Sequence, residues 1–185
     1  MLNLMNASKA EIAAADAAYR VGVVHGQARL RDHLRDTGGP EVDGRLESLA
    51  ALGAWFLQHI EAKPDSAAEE WIPAWWDPNA PLADSGSEHP GPFTGQQLRL
   101  IDEVHAYVAE VILNEILGAE WTIYKWGKRD VRNGKTVLKL TGRLQAYPQS
   151  VVYGAAIDVV LLKKTISDRW LFDYVSDRIA KAKVA

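Results

Sequence analysis

The sequence predicts an α+β fold: a helical hairpin, one long central helix, a small antiparallel β-sheet or hairpin, and two C-terminal helices. Three observations predict it. Residues 94–126 read as an amphipathic helix, a glycine stop and then an aromatic strand. Two helical periods precede that stretch, separated by Gly38-Gly39-Pro40. Asn133-Gly134 follows it, set between apolar runs as in a hairpin. At 185 residues the chain suits one domain, given about 150 residues per domain as a prior.

The first helix is expected over residues 8 to about 35. Ser8 and Glu11 have capping-box spacing, and Ile12, Tyr19, Val23, Leu30 and Leu34 keep one face. Gly22 and Gly26 lie on or beside that face, where another helix can approach closely. The second helix is expected over about 43–61, with Leu46, Leu49, Leu52, Phe56, Leu57 and Ile60 inward and Pro64 just beyond. In the central helix Thr94 and Gln97 repeat the capping box, and Ile101, Val104, Val108, Val111 and Ile112 share a face. Arg99, Glu103, Glu110 and Asn114 fall opposite, so the two glutamates read as part of a solvated face. Gly118 suits the helix stop. Trp121, Ile123, Tyr124 and Trp126 suit a strand, and Val137, Leu138 and Leu140 suit its return, with both Asn133 and Gly134 tolerating positive φ. Residues 145–150 read as a connector. Val151–Lys164 favours a buried helix over a strand, with Asp158 inside it and needing a base or hydroxyl. Ser167 caps a last helix that faces Trp170, Leu171, Tyr174, Val175 and Ile179 inward.

Residues 62–93 form an irregular strap rich in proline and tryptophan: Pro64, Pro73, Pro78, Pro81, Pro90 and Pro92 with Trp71, Trp75 and Trp76. Long loops of this kind are usually functional or disordered, and aromatic content argues against disorder. The indoles either pin the strap to the helices or line a surface for a partner. On the second reading the partner-binding residues are Glu69, Glu70, Trp71, Trp75, Trp76 and Asp77.

Charge is unevenly placed although the net is only −3. Residues 36–120 carry three basic against sixteen acidic groups, whereas residues 121–145 carry seven basic and one acidic. The acidic block predicts association with a basic protein. Lys128, Arg129, Arg132 and Lys135 form a second candidate patch at the hairpin. Nucleic acid is disfavoured there, because Trp126 is the only aromatic close to the tip and the whole chain is acidic.

Much chemistry is excluded. There is no cysteine, hence no disulfide and no thiolate metal site. The five histidines make no tight metal-ligand pair, and no Walker loop, GxGxxG or GxSxG is present. No metal site and no cofactor are expected. Hydrophobic content of 48% with 24% charge is that of an ordinary globular protein. No signal peptide is read in residues 1–18. The longest apolar run, interrupted by Asp158, is too short for a bilayer at about 20 residues. A cytoplasmic location without a membrane partner is the expectation. One dyad deserves checking: Asp102 lies one helical turn before His105.

The segment containing Tyr107, Glu110, Gly118 and Trp121, a Tyr-x-x-Glu followed by Gly-x-x-Trp, resembles a helix–strand unit of small uncharacterised bacterial α+β proteins, some of toxin-immunity type. Ala106 and Ala109 stand where that pattern has glycines. The resemblance implies a protein that works by binding. The leading expectation is therefore a non-catalytic protein-binding module, in its concrete version an immunity-type inhibitor. The alternative is a small hydrolase or ligand-binding enzyme with its pocket under the strap, needing His105, Asp102 or Asp158 to converge. A structural or phage-type assembly subunit is a third reading.

Overall fold

The structure is a computed structural model that describes residues 3–4, 6–61, 73–76, 93–125, 130 and 132–184. Its described elements are α1 (Lys9–Thr37), α2 (Ser48–Ile60), α3 (Gly95–Glu115), β1 (Glu120–Ile123), β2 (Thr136–Lys139), β3 (Gln145–Ala146), α4 (Pro148–Ala156) and α5 (Trp170–Val184). The fold class is α+β, with the long helix and the C-terminal helices as expected. The candidate residues Glu69, Glu70, Trp71, Asp77, Lys128 and Arg129 lie outside the described residues, as do Trp126 and most of the strap.

Local signals set the helix ends. Both capping boxes form: Ser8 with Glu11, and Thr94 with Gln97. α1 ends at Gly38, whose backbone is left-handed, and Gly39 N–H returns to Leu34 O at 2.7 Å. α2 begins at Ser48, about one turn later than the periodicity suggested, because residues 43–47 form a turn tied down by α3.

α3 is the centre of the molecule. Every residue from Ile101 to Ala109 is buried. α1, α2, α4 and α5 all pack against it, so this helix has no wide solvent face for its polar residues. Leu30, Leu49, Leu52, Phe56, Ile60, Leu138, Leu171 and Val175 join it in one core.

Gly26 marks the closest approach of α1 to α3. A Cβ there would sit 2.9 Å from Ala106 Cβ and 3.3 Å from Asp102 O. Gly22, one turn earlier, has nothing within 4 Å. The paired substitutions should therefore differ in sign. Gly22→Ala gains helix propensity and stabilises by up to about 1 kcal/mol. Gly26→Ala gains the same propensity but forces the helices apart, for a net loss of about 1–2 kcal/mol. Urea midpoints of the two variants check this.

The sheet is antiparallel in the order β1-β2-β3. Trp121 stands opposite Leu138, and Leu138 opposite Ala146. The third strand is short and lies where a connector was expected; two residues are too few to announce an alternation. Among the described residues of the hairpin only Gly134 takes positive φ, at 83°. The turn runs Arg132–Lys135, closed by Lys135 N–H to Arg132 O at 2.9 Å. It needs one left-handed residue, so Asn133 keeps an ordinary φ.

The segment expected as one buried helix over 151–164 divides. α4 gives way to a π-helical turn, Ile157–Leu161, and Lys163 stands left-handed at φ 50°. The turn is only half-buried, and Leu161 and Leu162 are exposed. Asp158 does meet a base, Lys164 Nζ at 2.7 Å, but near solvent rather than in a core. Ser167 Oγ accepts from Arg169 N–H at 3.2 Å, one turn ahead of α5. Leu171, Val175 and Ile179 are its buried face, with Trp170 and Tyr174 half-buried beside it.

Candidate functional site

Two places gather polar side chains. The first is a buried cluster between α1 and α3. Asp102 and Glu103 are 3% and 0% exposed. Glu103 does not lie on a solvated face; α1 covers that side of α3 and supplies cations. Arg29 of α1 donates from Nη2 to Asp102 Oδ2, and its Nε lies 3.7 Å from Glu103 Oε1. His33, one turn along α1, has Nδ1 2.9 Å from Glu103 Oε2. Arg99 Nε donates to Glu103 Oε1 at 3.0 Å. Trp75 Nε1 completes the set, donating to Asp102 Oδ1 at 2.7 Å. The pairing is a condition of burial, since an unpaired carboxylate in a core is strongly disfavoured. Glu110 is partly buried and bound by Arg31.

His105 is 0% exposed. Its Nδ1 donates to Ile101 O at 3.2 Å and lies 3.9 Å from Asp102 Oδ1. Nε2 has no hydrogen-bond partner. Burial pushes the imidazole pKa down, opposed by the Asp102 charge. Burial pushes the Asp102 carboxyl up, opposed by His105, the Trp75 N–H and Arg29. The dyad expected from the one-turn spacing is thus present, and both of its side chains are buried. Asp158 does not join it. A concavity of about 30 Å³ beside Tyr19, Trp75, Lys135 and Thr136 has room for about one or two waters.

A folded-state histidine pKa below the unfolded value means that the unfolded chain takes up the proton first. Stability held above pH 6.5, the ordinary histidine value, is then lost as pH falls, by at most about 1.4 kcal/mol per pH unit. Asp102, shifted up, acts with the opposite sign as pH falls toward 3.8. His105→Leu removes the histidine contribution. The variant should match or exceed the wild type in stability near neutrality and lose less between pH 6.5 and 5, as read by chemical denaturation at each pH.

The second place is the turn between α1 and α2. Asp36, Glu41, Asp43 and Glu47 are all exposed there. Among the described residues only Asp43 of these four has an ion pair, with Arg45 at 3.8 Å, and both partners are exposed. α3 holds this turn in place. Tyr107 Oη accepts from Gly44 N–H at 2.8 Å and shares a 2.7 Å hydrogen bond with Ser48 Oγ. Asn114 donates to Gly44 O at 3.1 Å, and Leu46 N–H donates to Glu115 at 3.3 Å. A groove of about 510 Å³ runs beside it over Leu34, Pro40 and Val42, with Arg31, Arg35, Glu41 and Asp43 at its edges.

The sequence-predicted residues fall differently. Trp75 and Trp76 are each 5% exposed; their rings pack against Tyr153, with Trp75 also edge-on to His105. They pin their segment to the core and present no indole to a partner, because the Asp102 carboxylate and the apolar surroundings draw them in. At the basic patch, Arg132 is exposed but forked onto Asp130 at 2.9 and 2.7 Å, and it stacks over Tyr124. Lys135 is half-buried beside the small cavity, where burial pushes its ammonium pKa down. Lys139 pairs with Glu120 across the sheet at 2.9 Å. Among the described residues of the hairpin, Arg132 and Lys139 have their charge answered locally.

Compared with family models, with curated proteins and with solved structures, the chain matches none. Among the described residues no group of three or more His, Asp or Glu is placed to hold a metal ion, and no helix is long and apolar enough to cross a membrane. The sequence reading missed Arg29, His33 and the 36–47 turn. The spacing of Arg29 and His33, one turn apart beside the inward face of α1, was the available signal. The acids of the turn were counted only as part of a larger block.

Proposed function

We propose that this protein is a non-catalytic binding module whose contact surface for a basic protein is the acidic turn between α1 and α2. The observation that carries it is a set of exposed carboxylates, Asp36, Glu41, Asp43 and Glu47, beside a groove with an apolar floor and charged edges. Four hydrogen bonds from Tyr107, Asn114, Ser48 and Glu115 pre-order that turn. A pre-ordered surface loses less entropy on binding, and exposed like charges steer an opposite partner. Tyr107, part of the motif that resembles toxin-immunity proteins, acts here as a positioning residue. An immunity-type inhibitor working in the cytoplasm on a basic toxin is the concrete form of the proposal.

The test compares the wild type with Asp36→Asn, Glu41→Gln, Asp43→Asn and Glu47→Gln combined, each immobilised in native lysate. The expected result is a basic protein captured by the wild type and lost with the neutralised turn. The association rate of that pair should fall about tenfold or more from low to high salt. Capture that is indifferent to both the substitutions and the salt overturns the proposal.

A further inference from the structure

Helix α1 has a second face. Tyr19, Val23, Gly26, Leu30 and Leu34 are buried toward the core. On the opposite side Ala10, Ala14, Ala17, Val21, Val24 and Ala28 are all exposed. Val21 and Val24 stand 56% and 63% exposed at the middle of that face. The steps between these six residues alternate four and three, the spacing of a helix–helix seam. A helix on a protein surface normally turns charged or polar residues to water. Here the charged or ionisable residues of 10–28 with exposed side chains are Glu11, Arg20 and His25, and all three flank the seam rather than occupy it.

We infer that this face pairs with α1 of a second copy of the chain, antiparallel, about a two-fold axis beside Tyr19. Three features of the sequence on the helix choose that occupant. In this register Ala14 meets the partner's Val24, Ala17 meets the partner's Val21, and Ala10 meets the partner's Ala28. Each valine is opposed by an alanine, so the helices can close without two bulky residues meeting. Glu11 comes beside the partner's His25, acceptor against donor, whereas in a parallel pairing the two lie on opposite flanks of the seam and do not meet. Arg20, the cation nearest the axis, is drawn away by Asp16 at 2.9 Å and the Trp121 carbonyl at 3.3 Å. The middle of the seam carries no charge, so it does not suit the basic partner proposed for the 36–47 turn. The seam is about 27 Å long at 1.5 Å per residue. Its total buried area, on the order of 1,000 Å², is at the low end of specific interfaces. A reversible dimer with a dissociation constant in about the micromolar range is the expected strength.

Sedimentation velocity over a range from about 1 to 500 µM tests this. The average mass should rise from the 20.4 kDa of one chain toward twice that value. Val24→Glu should hold the protein at the monomer mass throughout, with circular dichroism unchanged because the side chain faces solvent and with a thermal midpoint that no longer depends on concentration; Val21→Glu serves as the second variant. The chain has no cysteine, which makes a direct test of orientation possible. Ala14→Cys mixed with Val24→Cys should oxidise to a disulfide-linked pair. Neither alone should cross-link, since two copies of the same residue lie about 15 Å apart along the seam. A monomer at every concentration, or a dimer untouched by both glutamate substitutions, overturns the self-pairing. Cross-linking of Ala14→Cys with itself overturns the antiparallel register.

Discussion

Arg29→Met should cost about 3–5 kcal/mol of folding stability. Arg29 bridges two helices and serves both buried acids, Asp102 and Glu103. Methionine keeps much of the apolar stem, so the loss isolates the guanidinium. Breaking a buried ion pair by removing one partner leaves a charge without its counter-ion, which is the source of that magnitude. A typical domain has about 5–15 kcal/mol in total, so the variant stands close to unfolding. Urea denaturation should show a lower midpoint with an unchanged slope. Adding Asp102→Asn and Glu103→Gln to Arg29→Met should restore part of the loss, because neutral amides need no counter-ion. A loss under about 1 kcal/mol, the range of exposed pairs, would mean that water reaches the cluster.

Trp75→Ala should be comparably severe, at about 3–5 kcal/mol. The substitution empties a buried indole site and also strips the Asp102 carboxylate of the 2.7 Å donor on Oδ1. Trp75→Phe separates the two effects. It keeps most of the ring volume and loses only the N–H, for about 1–3 kcal/mol. A partner-facing indole behaves otherwise: its truncation leaves stability near wild type and weakens association. Thermal melts of the two variants decide between those behaviours. For the proposed binding function, a destabilising Trp75→Ala with its acidic turn intact is a fold variant and not an interface variant.

Stability and binding meet in α3. Tyr107 and Asn114 hold the acidic turn from one side of this helix, and Asp102 and Glu103 take their cations from α1 on another. The central helix therefore positions the proposed contact surface and is itself exposed beside it only at Asn114 and Glu115 near its end. The groove over the cluster, about 310 Å³ between Arg29, Asp32, His33, Asp36 and Arg99, shares Asp36 with that turn.

The sequence by itself determined the helix starts at Ser8 and Thr94, the stop after Thr37, the hairpin at Gly134 and the α+β class. Each rests on residues within a few positions of one another, where hydrogen bonds and φ preferences act directly. Only the tertiary structure decided that Glu103 is buried, that Trp75 and Trp76 face inward, that Asp158 meets Lys164 near solvent, and that Asp36, Glu41, Asp43 and Glu47 stand exposed on one ordered turn. Arg29 and Asp102 are 73 positions apart, and Trp75 reaches Asp102 across 27. Helical period says which side a residue takes, but how many sides are covered depends on how many neighbours pack against the helix. α3 has four helical neighbours, and with them its polar side became an interior.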